Sequence, residues 1–423
     1  MSVGNLVQAS PEPIVLRAEM KIVFVNRFFF PDQSATSQIL TDLAFYLAGM
    51  GHDVRVVTSR QRYEEPRASL PSAEVANGVK IHRIWTSRFG RDSLLGRTVD
   101  YLTFYMSAGW RLYQLVGFED TLVAKTDPPL ISIVAALVAR LRGARLVNWV
   151  QDVFPETAMV LGVRGVSGWL GWVLQRMRDA SLRQAAMNIV LGEKMAEYLI
   201  GRDGRHDRVK VIHNWVDDDA IVPVPPGRSR LREQWGLAGK FVVEYSGNMG
   251  RAHDFETILE TAELLRSETD VVFLFIGGGN QRVYLVNETV KRDLDQVLFE
   301  PYQDRENLPE SLGAADIHLI SLRPELERFI LPSKFYGIAA AGRPVIFIGD
   351  PGGEIGEIVR TGHCGAVVRP RESVELAKLM RTLRDDSDLR REWGRNARRL
   401  IDEKFSRKRA MNLWCTILFP SRG

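Results

Sequence analysis

Short, nearly continuous apolar runs alternate along this chain with stretches whose apolar residues recur three and four apart. The first run, Lys21-Ile-Val-Phe-Val-Asn26, reads as a buried parallel strand. A loop over Arg27–Ala35 follows. Ile39, Leu40, Leu43 and Leu47 then share one helical face, with Thr36 or Ser37 as the cap and Gly51 at the end. Asp53–Thr58 is the next strand, and later ones are expected at Val79–Trp85, Thr121–Lys125, Arg145–Val150 and Met187–Leu191. This alternation predicts an α/β fold, a parallel sheet with helices on both faces.

The pattern breaks at Val211-Ile-His-Asn-Trp-Val216, the acidic run Asp217–Asp219 and the proline cluster Val222-Pro-Val-Pro-Pro-Gly227. It then restarts. Strands are expected at Phe241–Tyr245, Val271–Ile276, Ile317–Ser321, Pro344–Ile348 and Ala366–Val368, with helices at Phe255–Leu265, Glu306–Leu312, Lys334–Ala341 and Ile355–Arg360. The reading is two doubly wound, Rossmann-like domains facing a cleft: residues 20–215, a linker over 216–239, and residues 240–405. Met411, Trp414, Ile417 and Leu418 sit at helical spacing, so the segment 406–423 is expected to pack back on the first domain.

Composition changes this picture little. At 423 residues the chain has room for two or three domains, and its 45% hydrophobic and 26% charged content is that of a globular protein. A net charge of +4 does not call for nucleic acid as partner, but leaves room for a local basic patch. Cys364 and Cys415 form neither a disulfide framework nor a cysteine zinc site, which fits a reducing compartment. Residues 1–19 lack the basic start and apolar run of a signal peptide, so the fold is expected to begin near Met20. The longest apolar stretch, Leu130–Ala139, is short of the ~18 residues that a spanning helix needs. A cytoplasmic location is expected, at most lying on a membrane.

Both domains should present the carboxyl ends of their strands to the cleft, and the candidate chemistry falls there. In Val243-Glu-Tyr-Ser-Gly-Asn-Met-Gly250-Arg251, Gly247, Asn248 and Gly250 follow a strand, Arg251 adds a cation, and Asp254 is placed to cap the next helix. A diphosphate site and an ordinary strand-to-helix turn both fit this segment. In Leu331-Pro-Ser-Lys334, Ser333 and Lys334 open a helix. A lysine there opposes the helix dipole, and fits either a phosphate held at the helix start or a solvated side chain. Gly349-Asp-Pro-Gly-Gly-Glu354-Ile-Gly-Glu357 again joins a strand to a helix. Glu354 is suited to accept from sugar hydroxyls, while Glu357 also reads as a carboxylate satisfying first-turn amides. Gly277-Gly278-Gly279 and Glu300-Pro-Tyr302 are candidates to border a base.

In the first domain, the loop with Pro31, Ser34 and Ala35 follows the opening strand and is expected to face the cleft. Asp152, in Trp149-Val-Gln-Asp-Val-Phe-Pro155, is a candidate general base or hydroxyl-orienting group, or an Asx turn ahead of proline. Asp217–Asp219 reads as a solvated loop, and His213 and His253 as isolated histidines. No phosphate-loop or Gly-x-Ser-x-Gly sequence is present.

Taken together these segments resemble the retaining glycosyltransferases of the GT-B fold, family 4, over nearly the whole chain from about Met20. The opening loop Phe30–Thr36, the seam Val211–Asp217, Ser246-Gly-Asn-Met-Gly250, Leu331–Pro344 and Gly352–Glu357 carry the resemblance. The branch it looks closest to makes bacterial capsule, exopolysaccharide or O-antigen units. The resemblance implies a nucleotide-diphosphate-sugar as co-substrate in the second domain, with no other cofactor and no metal. It also implies retained anomeric configuration, and a polyprenyl-diphosphate-linked or glycan acceptor in the first domain. Asp152, Arg251 and Lys334 would then be catalytic. Gly247, Asn248, Gly250, Gly278, Tyr302, Ser333, Glu354 and Glu357 would hold the donor, and Pro31, Ser34 and Ala35 the acceptor.

The sequence departs from the pattern in two respects: the basic pair common in the turn after the first donor strand is altered, with Asn248 and His253 there and Arg251 between them, and two acidic positions differ. Two glutamates common in the family fall on Phe329 and Gly337, with Glu325 and Glu327 close to the first. A nucleotide-sugar epimerase or hydrolase, or an inactive nucleotide-sugar-binding protein, remains compatible with the same scaffold. Finally, Tyr101–Tyr113 and Trp169–Arg178 are rich in aromatics near arginines. They read either as core-facing helical stripes or as a peripheral membrane contact.

Overall fold

The computed structural model describes residues 21–420, apart from 64, 66–68, 91–93, 164 and 204. The expected start at Met20 and the last residues of the 406–423 segment lie outside the described residues. Among the described residues the N-terminal sheet contains β1 (Lys21–Val25), β2 (Asp53–Ser59), β3 (Ala73–Ala76), β4 (Val79–Ile84), β5 (Thr121–Lys125), β6 (Arg145–Trp149), β7 (Met187–Val190) and β8 (Val209–Val211). Their order is β3-β4-β2-β1-β5-β6-β7-β8. Every pair is parallel except β3 with β4. The C-terminal sheet is wholly parallel: β9 (Phe241–Ser246), β10 (Val271–Ile276), β11 (Val297–Glu300), β12 (Ile317–Ser321), β13 (Val345–Ile348) and β14 (Gly365–Val368), ordered β11-β10-β9-β12-β13-β14.

Helices cover both faces of the central strands, which is why β5, β10 and β13 are buried along their whole length and read as continuous apolar runs. The antiparallel β3 lies at an edge with alternating exposure. Asn77 and Gly78, both at positive φ, make the two-residue hairpin turn that joins it to β4. The first helix spans Ala35–Gly49 and starts at Ser34, before the expected caps Thr36 and Ser37. Those two hydroxyls are used elsewhere. Thr36 Oγ1 donates to Asp127 Oδ2 at 2.9 Å, and Ser37 Oγ donates to the Asp32 carbonyl.

The proline-rich segment between the sheets is docked. Pro223 packs against Gly342, Val224 packs against Gly313, and Ser229 Oγ donates to the Glu310 carbonyl at 3.0 Å. The C-terminal helix Arg407–Leu418 returns to the N-terminal sheet. Trp414, wholly buried, packs on Trp149, which in turn stacks on Trp215. Asp42 accepts from both Trp215 Nε1 and the Arg407 guanidinium. Just before this helix, Phe405 sets its ring edgewise against Phe335 and Tyr336 of the C-terminal lobe and His213 of the seam. The last segment therefore fastens both lobes into one apolar cluster.

Replacing Trp414 by Ala should leave a large cavity in that cluster. Stability should fall by ~3–5 kcal/mol, read as a lower urea midpoint with little change in far-ultraviolet circular dichroism.

Candidate active site

Three loops meet at the carboxyl ends of β9, β10 and β11. The backbone N–H of Met249 donates to the Gly278 carbonyl at 2.6 Å, and that of Gln281 to the Met249 carbonyl at 3.0 Å. Gly279 has φ of +131°, and a Cβ there would lie 2.7 Å from the Met249 nitrogen. No side chain fits so close a crossing. The Tyr302 ring lies against Gly277 and Gly278, and Tyr245 Oη donates to the Asn248 carbonyl at 3.0 Å. Gly247, Asn248, Gly278 and Tyr302 thus form one rim. Gly250 adjoins Asn248 and His253.

Lys334 reaches this rim from the helix Lys334–Ala340. Its Nζ lies 3.6 Å from the centre of the Tyr245 ring, and a Cβ on Gly247 would be 3.5 Å from it. The ammonium is buried, and among the described residues it has no hydrogen-bond acceptor. The ring face supplies a cation–π contact only. Burial brings the lysine pKa down to about 7. His253, expected to be isolated, is a neighbour: its Nδ1 pairs with the Ser321 carbonyl, and burial with the nearby Lys334 charge holds its pKa at about 3. Imidazole neutrality follows, because two unpaired cations side by side in a buried site repel. Ser333 precedes the helix and makes no capping bond with its side chain. Asp254 accepts from the Thr257 N–H at 3.1 Å, the cap read from the sequence.

The acidic residues divide. Glu327 is buried with its carboxyl against Gly353, where a Cβ would come within 2.3 Å of Oε2. Burial and the carboxylates of Asp350 and Glu354 push its pKa up to about 8. Glu325 is exposed beside Arg323. Glu354, read as an acceptor of sugar hydroxyls, is committed across the lobes. Its Oε2 accepts from the Lys194 N–H at 3.1 Å, and its carboxyl lies on Gly192 and 4.0 Å from His213 Nδ1. Glu357 pairs with Lys194 Nζ at 3.3 Å. Both carboxylates thus sit at the start of the helix Glu193–Asp203, where the helix dipole favours negative charge.

Arg251 crosses the cleft, its Nη2 donating to the Leu161 carbonyl at 2.6 Å. Close by, the Val153 N–H donates to the Phe329 carbonyl at 2.9 Å. Asp152 lies beside this bridge. Its side chain is exposed to solvent, and the flanking protein together with the Asp127 carboxylate raises its pKa to about 6. Asp127, missed from the sequence, follows β5 just as Asp152 follows β6, and a carboxylate ahead of proline at a strand end was the available signal. In the opening loop, Asp32 is buried and takes both the N–H and the Oγ of Ser34. The Ser34 hydroxyl therefore shapes the turn, with Pro31 before it and Ala35 exposed after it.

The sequence matches two family models, a glycosyl transferase 4-like domain over residues 35–215 and a glycosyl transferases group 1 domain over residues 227–400. The chain belongs to the GT-B glycosyltransferases. It is 25% identical over 380 residues to an Escherichia coli protein named as a colanic acid biosynthesis glycosyl transferase, WcaI, covering 84% of this chain and 90% of that one. It is 29% identical over 265 residues to a Pseudomonas aeruginosa protein named as a glycosyltransferase, WbjE, covering 62% and 65%. In fold it superposes on the Anabaena protein Alr3699/HepE, solved with UDP-glucose, with a TM-score of 0.71 at 18% identity, over 94% of this chain and 99% of that one.

Two buried groups of this glycosyltransferase give opposite pH signatures. Lys334 holds its proton less well folded than unfolded, so it destabilises most below pH 7, and less as pH rises toward the ordinary lysine range. Lys334→Met should therefore raise the melting temperature of the ligand-free protein at pH 6, by a few degrees, and by less at pH 9. Glu327 holds its proton better folded than unfolded, so its contribution falls as pH rises from about 4.5 to about 8. Glu327→Gln should remove that decline, gaining on the parent protein between pH 5 and pH 8 in urea titrations.

Proposed function

We propose that this glycosyltransferase binds a nucleotide-diphosphate-sugar on its C-terminal lobe and transfers the sugar, with retention and without a metal, to a lipid-linked or polysaccharide acceptor on its N-terminal lobe. The product would be a capsule, exopolysaccharide or O-antigen unit. The observation that carries this reading is the buried Lys334 ammonium beside the glycine rim, with no acceptor among the described residues. A diphosphate at the rim would supply the missing anion and draw the lysine back to its charged form. Departure of the sugar puts further charge on the diphosphate, and a cation already desolvated and fixed stabilises that charge strongly. Arg251 stands at the cleft and can turn from the Leu161 carbonyl toward the same anion.

Asp152, with its pKa at about 6, is mostly ionised at neutral pH and is placed to orient or accept from an incoming acceptor hydroxyl. Tyr302 and the Gly277–Gly279 loop would border the base. The relative named for colanic acid biosynthesis supports a polysaccharide acceptor, and the neighbour solved with UDP-glucose makes uridine donors the first to test.

Calorimetric titration with UDP-sugars and other nucleotide-sugars tests the donor site. Binding should take up protons at pH 8, because Lys334 must be charged in the complex, and affinity should fall as pH rises above 7. Lys334→Ala should abolish the proton uptake and lower kcat/KM by ~10²-fold or more. Unchanged donor binding and proton uptake in that variant would sink the site. With an acceptor present, nuclear magnetic resonance of the product should show the donor's anomeric configuration. Free sugar or an isomerised donor formed without acceptor would instead establish a hydrolase or an epimerase.

A further inference from the structure

A group of buried polar side chains that the proposed chemistry leaves unused gathers behind Asp152. Asp152 lies on the short connection between β6 and the helix Glu156–Val160. That connection is held at three points. The Val153 N–H donates to the Phe329 carbonyl of the C-terminal lobe at 2.9 Å. Arg178 Nη1 donates to the Phe154 carbonyl at 3.4 Å. Next to Pro155, the buried Glu156 carboxylate accepts from Arg178 Nη1 and Nη2 at 3.2 and 2.7 Å, from Gln175 Nε2 at 3.1 Å and from Tyr198 Oη at 2.6 Å.

Tyr198 differs from the other donors. Arg178 and Gln175 belong to the helix Gly168–Gln184 and keep their contacts within the N-terminal lobe. Tyr198 belongs to the helix Glu193–Asp203, and its ring meets Phe329 edge-on, with centroids 5.0 Å apart and planes at 84°. Phe329 is thus met twice, on its ring by Tyr198 and on its carbonyl by Val153. The contacts close a circuit from the Asp152 connection to Phe329, Tyr198, Glu156 and back. Its far end is firm. Leu326 is fully buried, and its carbonyl accepts from the N–H of Phe329 at 2.8 Å and of Ile330 at 3.0 Å. Lys334 follows five residues after Phe329.

The hydroxyl is not needed to balance charge. Arg178 pairs with both Glu156 and Asp179, and Arg202 pairs with Asp179 at 2.8 Å, so two guanidiniums already meet two carboxylates. Nor does the ring contact on Phe329 need it, since phenylalanine would pack as well. Burial and the bond to Glu156 push the Tyr198 hydroxyl up to about 12, so it remains a donor at any working pH. What it adds is direction: a short hydrogen bond to a charged acceptor fixes the ring, and with it Phe329, against the connection that carries Asp152.

We propose that Tyr198 is a positioning residue for sugar transfer, setting Asp152 against the Lys334 side of the cleft by joining Glu156 to Phe329. The inference rests on the roles proposed above for Asp152 and Lys334. Groups carried on separate lobes have no short covalent path to fix their spacing, and a misplacement of about 1 Å costs up to ~10²-fold in rate.

Tyr198→Phe keeps the ring on Phe329 and removes only the hydroxyl. It should lower kcat by ~10-fold, the weight of one hydrogen bond to a charged group, with calorimetric binding of the nucleotide-sugar unchanged. Asp152→Asn should lower kcat as well. Adding Tyr198→Phe to that variant should lower it no further, because a residue acting through Asp152 is silent once Asp152 is gone. In the ligand-free protein, amide hydrogen exchange over residues 150–156 should be several-fold faster in Tyr198→Phe, while the strands of both sheets keep their protection. A lower melting temperature in Tyr198→Phe with kcat unchanged would mean a structural role alone and would overturn the proposal. So would losses in kcat that add in the double variant, parent-level transfer by Asp152→Asn, or unchanged exchange over residues 150–156. Faster exchange there in a protein that binds no nucleotide-sugar would remove the donor reading and leave Tyr198 as the group that seats the Asp152 connection.

Discussion

A lysine ammonium taken out of water needs an anion, and Lys334 does not have one within the described residues. The fold nonetheless holds it in place. The helix Lys334–Ala340 is fixed by Phe335, Tyr336 and Ile338, all buried, so its first residue cannot swing outward without uncovering them. The Tyr245 ring, at the end of β9, accepts the positive charge only through its π face. Two neighbours suit this one charge: His253 stays neutral beside it, and Gly247, at a φ of +122°, brings its backbone up to the ammonium. Local stability is lower than an apolar residue would give, the usual cost of a site built for a charged ligand.

The second constraint is how the lobes are seated. Three kinds of contact cross between them. Glu354 and Glu357 dock on the start of the helix Glu193–Asp203, Arg251 and Phe329 bond to the stretch Val153–Leu161, and Phe405 wedges between the lobes against His213, Phe335 and Tyr336. The first two kinds are mainly hydrogen bonds and ion pairs, with the Phe329 ring on Tyr198 beside them, while the third is apolar and continuous with the Trp149–Trp414 cluster. The polar contacts can be exchanged for bonds to a ligand at less cost than the apolar ones. Arg251 illustrates this, since a carbonyl is a weaker partner for a guanidinium than a diphosphate.

Much of this was legible in the residues. Parallel strands buried on both faces announce themselves as apolar runs, and the ends of β5, β10 and β12 fall where those runs stop. Edge elements were harder to read. In β3, alternate residues face solvent, and only the Asn77-Gly78 turn betrays it. The rim of Gly247, Asn248, Gly278 and Tyr302 followed from the rule that parallel sheets bind at their carboxyl ends. What the sequence could not show was partnership. Whether Glu354 meets a sugar or the Lys194 amide, and whether His253 stands alone or beside Lys334, depends on contacts between residues far apart in the chain. The aromatic helices were ambiguous for a similar reason, because the first carries two apolar stripes and only burial tells which one faces the core.

The departure at Phe329 follows from the same geometry. Phe329 turns its ring onto Tyr198 of the N-terminal lobe, with centroids 5.0 Å apart, and its carbonyl takes the Val153 N–H. A glutamate there would place a carboxyl in an apolar contact between the lobes, uncompensated. Two residues earlier the chain turns inward, and Glu327 delivers a carboxyl against Gly353 on the C-terminal side of the cleft. On the proposed reading, this moves an acid by two positions without removing it from the site. Gly337 has no such substitute. A Cβ there would meet Leu312 at 3.5 Å, an ordinary contact, so space alone does not demand glycine. On the proposed reading, a donor held by Lys334 makes fewer demands on that position, because a fixed, desolvated cation already meets the charge of a diphosphate.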